Sequence, residues 1–283
     1  MQLPARGNRG PGLIVPPHEP RTGTGAVAHG GAWRAGDAVL LIGHGSSTHA
    51  TAPRVLMAHA RRLATEIDAG HIGVGFLSGT PTPAQALSAL AAGTVHVVPF
   101  FMEDGYFTRH ALPRALQVAA QQRPCPAWDL RLHQPVGTHP RITDLILQRA
   151  ASACGKARLD PSAVTVMLVG HGSARAPGRP LALHDHARRA RATGGFAALH
   201  AACLEEPPFA ADILTTLPPG PVAILGLFAG EGLHATRDLP ALVGAARSKR
   251  SHPVLDLGII GADSGMPGIV RAILMDGQKA GLC

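Results

Sequence analysis

Two histidines stand where a predicted buried strand gives way to a loop. His171 lies in a Gly-His-Gly-Ser tetrapeptide after one apolar run, and His234 lies in a Gly-Leu-His tripeptide after another. Neutral imidazoles can bind a borderline divalent metal ion, or one of them can act as a base near neutral pH. The same residues would also suit two polar loop side chains that never meet. They form a candidate metal or proton-transfer site only if the fold brings them together.

Charged residues accompany both histidines. Glu205 and Glu206 follow a third apolar run, where a carboxylate could orient an imidazole, move protons or bind the ion. The alternative is an acid at a helix entry, where it would favour the positive end of the helix dipole. Arginines follow each histidine, and they suit either bidentate carboxylate recognition or a solvated helix face. They are Arg175, Arg179, Arg188, Arg189 and Arg191 after His171, and Arg237 after His234.

The sequence contains an internal repeat. The tetrapeptide GHGS at residues 43–46 recurs at residues 170–173, which is a shift of 127 residues. The same shift aligns Gly105 with Gly232, Leu112-Pro113 with Leu239-Pro240, and Pro140 with Pro267. We therefore predict a duplicated domain in which one fixed shift holds without a gap from the first strand to the last helix.

Each copy has the rhythm of a parallel α/β sheet. Short β-rich apolar runs alternate with longer helical patterns, which is typical of βαβ units. The predicted strands are residues 38–43, 72–77, 94–100 and 128–133 in the first copy, and 164–169, 196–204, 221–228 and 252–259 in the second. We expect each copy to form a flavodoxin-like, doubly wound lobe with a four-stranded sheet. Ligands bind at the carboxyl ends of such strands, where both histidines are predicted.

Composition narrows the class of protein. The sequence is 46% hydrophobic and 16% charged, which is typical of a globular protein. A net charge of +8 indicates an anionic partner, but 4% aromatic residues and no recognition motif argue against nucleic acid. No apolar run approaches the roughly 20 residues that a membrane span needs. The four cysteines lack metal or disulfide spacing, so we expect a reducing, cytoplasmic location.

The repeat also suggests how the chain is divided. Residues 1–36 are dense in Gly, Pro and Arg and lack hydrophobic periodicity, so we expect a flexible leader outside the fold. We expect the first lobe to span residues 37–155 and the second to span residues 156–283.

Three segments together resemble a known family. They are GHGS after the first strand, Leu-Glu after the second, and Gly-x-His-x-x-x-Asp-Leu-Pro after the third. As a set they resemble the class II tetrapyrrole chelatases, in the sirohydrochlorin cobaltochelatase/ferrochelatase (CbiX-like) group, in its two-repeat form and over about residues 37–283. The resemblance implies two chelatase-like lobes around a central cleft. It also implies insertion of Co²⁺, Fe²⁺ or Ni²⁺ into sirohydrochlorin or a related carboxylated tetrapyrrole, on the way to cobalamin or siroheme.

The resemblance assigns roles to residues of the second copy. His171 and His234 would bind the metal and take up pyrrole protons, with Glu205 as a candidate acid. The metal would be a substrate, with no tightly bound cofactor. The tetrapyrrole would be the partner of a monomer or weak homodimer, with no nucleic acid or membrane involved.

The first copy departs from the family pattern. Phe107 replaces His234, Ser78 replaces Glu205, and Ala111 stands at the aspartate position of the motif. We expect this lobe to close the cleft and contact the substrate without binding metal. The candidate substrate-binding residues are His44, Ser46, Tyr106, Arg109, Ser173 and Arg237. The rival hypothesis is a non-catalytic metal or tetrapyrrole carrier on the same fold.

Overall fold

The computed structural model describes residues 27–46, 52–91, 93–121, 128–172 and 181–279. Within these ranges the chain forms two parallel sheets with helices on both faces, which confirms the predicted α/β class and the duplicated doubly wound lobes. The first sheet contains β1 Val27–His29, β2 Ala38–Gly45, β3 His71–Ser78, β4 Thr94–Pro99 and β5 Asp129–Leu132. Its helices are α1 Ala52–Glu66, α2 Pro83–Ser88, α3 Leu112–Gln121 and α4 Arg141–Ala157.

The second sheet repeats this arrangement. Its strands are β6 Thr165–Gly170, β7 Ala198–Cys203, β8 Val222–Gly226 and β9 Val254–Ile259. Its helices are α5 Leu181–Thr193, α6 Ala210–Thr216, α7 Leu239–Lys249 and α8 Met266–Lys279. The strand order is β7-β6-β8-β9, matching β3-β2-β4-β5 in the first sheet. Every residue of β6 and β8 is buried, since helices cover both faces of a parallel sheet.

The expectation of a leader outside the fold is wrong for residues 27–36. Val27–His29 pairs in parallel with β5, so the described first sheet has five strands where four were predicted. Trp33, four residues further on, is only 7% exposed. The outer edge of β5 would otherwise carry unpaired backbone groups, and β1 satisfies them. Residues 1–26 of the expected leader lie outside the described ranges.

The prediction of one fixed shift is also wrong after the third helix of each copy. Val95 pairs with Leu130 in the first sheet, and Val222, which lies 127 residues after Val95, pairs with Val254 in the second. Val254 lies only 124 residues after Leu130, so the connection into the last strand differs by three residues. The structural counterpart of Gly137 is Gly261, and the match of Pro140 with Pro267 is not a structural equivalence.

The two lobes share one layer of helices. The last helix of each copy packs on the other copy: α4 lies against α5 and β9, and α8 lies against α1. Buried side chains from both lobes form a single core cluster between the sheets. The predicted boundary between residues 155 and 156 therefore separates the two repeats along the sequence. It does not separate two independently packed units.

Polar contacts also join the lobes near the carboxyl ends of the strands. His59 Nε2 on α1 lies 2.7 Å from the Gly261 carbonyl, and His186 Nε2 on α5 lies 2.7 Å from the Gly137 carbonyl. Both carbonyls belong to short 3-10 turns, Ile260–Ala262 and Val136–Thr138, that follow β9 and β5. None of the helices in the described ranges combines the length and apolar character needed to cross a bilayer.

Candidate metal centre

The carboxyl edge of the second sheet brings three predicted site residues together. His171 directly follows β6, Glu205 lies two residues beyond β7, and His234 begins a π-helical turn, His234–Asp238, that leads into α7. Because β6 lies between β7 and β8, the loops after all three strands meet at one edge. Such π-helical turns are frequent at functional sites.

The three side chains converge closely enough to share an ion. The imidazole centroids of His171 and His234 are 4.0 Å apart, with the rings at 73°. One ligand atom from each histidine and from Glu205 lies within 4.8 Å of the others. Glu205 Oε2 is 3.8 Å from His171 Nδ1, and Glu205 Oε1 is 3.7 Å from His234 Nε2. Two imidazole nitrogens and one carboxylate oxygen form a donor set that suits first-row divalent metals.

Asp238 holds the imidazole of His234 in place. Its Oδ2 lies 2.7 Å from His234 Nδ1, and its Oδ1 accepts a hydrogen bond of 2.8 Å from Arg237 Nε. The hydrogen bond from Arg237, with a smaller contribution from that of His234, lowers the pKa of Asp238, so this carboxylate is ionised at neutral pH. An ionised carboxylate only accepts, so Nδ1 of His234 carries the proton and Nε2 keeps its lone pair. This tautomer leaves Nε2 able to bind a metal ion.

The imidazole of His171 has the same tautomer as that of His234, fixed by a different acceptor. Its Nδ1 lies 2.5 Å from the Gly172 carbonyl oxygen, so Nδ1 donates and Nε2 keeps its lone pair. Gly172 has a φ of +72°, and an added Cβ would lie 2.6 Å from Glu206 Cγ and 2.9 Å from Cys203 Cβ. Only glycine fits where this loop closes against the end of β7.

The first lobe repeats this geometry with a ring that cannot bind metal. His44 and Phe107 are 4.5 Å apart at 68°, close to the arrangement of His171 and His234. Phe107 also begins a π-helical turn, Phe107–Ala111, and stacks on Phe101 as His234 stacks on Phe228. Across the described residues, the trio in the second lobe is the one cluster of three such donors.

The remaining predicted residues lie around these two edges. Tyr106 is 69% exposed and contacts Phe107, and Ser46 is half-buried just beyond β2. Arg109 makes an ion pair with Asp104 at 3.0 Å, and Arg237 pairs with Asp238. Ser173 lies outside the described residues.

The sequence includes Asp238 only as the aspartate of the Gly-x-His-x-x-x-Asp-Leu-Pro motif, without a role in the site. A second signal is its position four residues after His234, a spacing that places two side chains on the same face of a helical segment.

Comparison with known proteins adds a family. The family model described as CbiX matches residues 38–153 and 165–275. A protein of Halobacterium salinarum named "Probable sirohydrochlorin cobaltochelatase" is 27% identical over 220 residues, which are 72% of this chain and 75% of that protein.

Two solved structures are similar over most of the chain. One is a multi-domain protein of Deinococcus radiodurans with structural similarity to chelatases, which is 25% identical at a TM-score of 0.73. The match covers 86% of this chain but only 56% of that protein. The other is CbiX, described as the terminal enzyme for biosynthesis of siroheme in denitrifying bacteria. It is 27% identical at a TM-score of 0.65, over 87% of this chain and 100% of that one.

Proposed function

The chain belongs to the CbiX family, and on this premise we propose that it is a sirohydrochlorin chelatase. It inserts a divalent metal ion into sirohydrochlorin or a related carboxylated tetrapyrrole. The observation that carries the proposal is the convergence of His171, Glu205 and His234 at one strand edge. The names of the Halobacterium relative and of the CbiX structure support the same substrate class.

The proposed reaction begins with capture of the ion by the trio. Nε2 of His171 and Nε2 of His234 donate their lone pairs, and the Glu205 carboxylate, 3.7 Å from His234 Nε2, supplies an anionic oxygen. Imidazole and carboxylate suit Co²⁺, Fe²⁺ and Ni²⁺. We propose Co²⁺ as the first ion to test, since the relative in Halobacterium is named a cobaltochelatase. The ion is a substrate that leaves in the product.

Metal insertion also releases two protons from the pyrrole nitrogens. As the ion moves to the macrocycle, the Nε2 lone pair of each histidine becomes free to accept a proton. The carboxylate of Asp238, 2.7 Å from Nδ1 of His234, stabilises the positive charge that then develops on that ring. The Glu205 side chain is 42% exposed, so it can pass a proton on to solvent.

The first lobe supplies a surface for the macrocycle in this proposal. Tyr106 and Phe107 are exposed aromatic residues that can contact the flat ring by stacking. His44, Ser46, Arg109 and Arg237 lie close enough to the two strand edges to contact the carboxylate side chains of the ring. The net charge of +8 favours the approach of a polycarboxylate.

The test follows the absorption spectrum of sirohydrochlorin with Co²⁺, Ni²⁺ or Fe²⁺ in the presence of the purified protein. We expect catalysed insertion by the wild type and a loss of at least about 100-fold for His234→Ala, because one metal ligand and one proton acceptor are removed together. His252→Ala removes an exposed histidine remote from the trio and should keep the wild-type rate.

Two results would count against the proposal. Equal rates for wild type and His234→Ala would remove this histidine from the mechanism. Stoichiometric binding of Co²⁺ or macrocycle with no turnover above the uncatalysed rate would favour the carrier hypothesis instead.

A further inference from the structure

A carboxylate of the first lobe reaches into the second lobe and accepts hydrogen bonds from the first turn of α5. Glu103 lies four residues after β4, and its Oε2 accepts a hydrogen bond of 3.0 Å from the backbone N–H of Ala182. Its Oε1 accepts a second bond of 3.0 Å from the N–H of Leu183. Both donors lie in the first turn of α5, whose N–H groups have no partner within the helix. The first lobe therefore caps a helix of the second.

The capped turn contacts the strand end that carries His171. Leu183 is fully buried and packs on Gly170, the last residue of β6: a Cβ on Gly170 would lie 2.8 Å from Leu183 Cδ2. His171 is the next residue. A path of direct contacts thus runs from Glu103 through the backbone and side chain of Leu183 to the residue that precedes the metal-binding imidazole.

Among the described residues, no carboxylate of the second lobe caps a helix of the first lobe in the same way. Gly230 lies 127 residues after Glu103, at the equivalent position of the second copy, and has no side chain with which to cap a helix of the first lobe. The lobe with the metal ligands receives the carboxylate, and the lobe with Phe107 supplies it. This asymmetry matches the division of the donor residues between the copies.

We propose that Glu103 is a positioning residue for the metal centre, fixing the first turn of α5 and, through Leu183, the Gly170–His171 segment. The inference rests on the proposed function, in which His171, Glu205 and His234 bind the ion. It assigns the first lobe a second task besides contacting the macrocycle, which is to hold the ligand geometry of its partner lobe.

The experiment is a Co²⁺ titration of the full chain, with the visible absorption of bound Co²⁺ as a reporter of ligand geometry. We expect Glu103→Ala to raise the Kd about 10-fold, in the range typical of outer-shell partners, and to change the spectrum of the bound ion. Glu103→Gln keeps one acceptor oxygen and should recover part of the affinity. Asp104→Asn removes a neighbouring charge whose partners among the described residues, Thr108 and Arg109, belong to the first lobe, and its Kd should stay within about twofold of wild type.

Each outcome has a separate meaning. A folded Glu103→Ala protein with the wild-type Kd and spectrum would overturn the proposal, even if its thermal stability fell. If that variant does not fold by circular dichroism, Glu103→Gln decides: an unchanged Kd overturns the proposal and a raised Kd supports it. Equal losses for Glu103→Ala and Asp104→Asn would indicate long-range charge and overturn it too. If wild type and His171→Ala bind Co²⁺ equally, the proposed metal site itself fails.

Discussion

Replacing Asp238 isolates the contribution of the carboxylate that orients His234. Asp238→Ala removes the 2.7 Å bond to Nδ1 while leaving all three proposed ligands in place. A hydrogen bond to a charged group contributes about 1.5–3 kcal/mol. The side chain of Asp238 is 26% exposed, so we take the lower end, which corresponds to about tenfold in Kd. This value also lies at the lower limit of the range typical of outer-shell partners.

The assay is equilibrium binding of Co²⁺ at neutral pH, where the lowered pKa of Asp238 keeps its carboxylate ionised in the wild type. Asp238→Asn retains an oxygen that can accept from Nδ1 but loses the charge, so its Kd should lie between wild type and Asp238→Ala. Asp212→Asn, an exposed acid in the first turn of α6, serves as the control and should bind normally. A Kd for Asp238→Ala within twofold of wild type would refute the argument that this carboxylate prepares His234 for the metal.

Three further predictions concern acid stability, the loop beside His171 and the Phe107 site. Burial and the neighbouring His96 lower the pKa of His133 from 6.5 to about 4, so below pH 6.5 the unfolded chain binds more protons. His133 alone should therefore lower the free energy of unfolding by about 2 kcal/mol from pH 7 to pH 5, so in urea denaturation the fall for His133→Gln should be smaller than that of the wild type by about this amount. Gly172→Ala should abolish Co²⁺ binding. Gly244→Ala, whose added Cβ would meet no atom within 4 Å, should bind Co²⁺ normally. Normal binding by Gly172→Ala would contradict the steric argument. A triple variant of the first lobe gives it the donors of the second: Ser78→Glu, Phe107→His and Ala111→Asp. It should raise the Co²⁺ stoichiometry from one to two. A stoichiometry that stays at one would show that the two lobes position these residues differently.

Most of the fold could be predicted from the sequence because the signals are local. Buried parallel strands such as β6 appear as continuous apolar runs, and the repeated GHGS fixes the equivalence of the two copies. The approach of His171 to His234 follows from topology, since loops after adjacent parallel strands meet at one edge. The distances and ring angle do not follow from it.

What the sequence could not reveal depends on contacts between distant segments. The strand β1 has three residues, too few for any periodicity, and its partner β5 lies about 100 residues away. The change of shift from 127 to 124 arises in a connection, where the sequence carries no pattern to align. The cap that Glu103 provides crosses from one lobe to the other, so no local motif indicates it. No local motif indicates either that α4 and α8 each pack on the opposite lobe.

In the proposed reaction, one metal centre in the second lobe delivers the ion. The most direct measurement is anomalous X-ray scattering at the cobalt edge from crystals of the protein grown with Co²⁺. We predict one strong peak within bonding distance of His171, Glu205 and His234, and none between His44 and Phe107. A peak at any other histidine cluster, with the trio left empty, would contradict it.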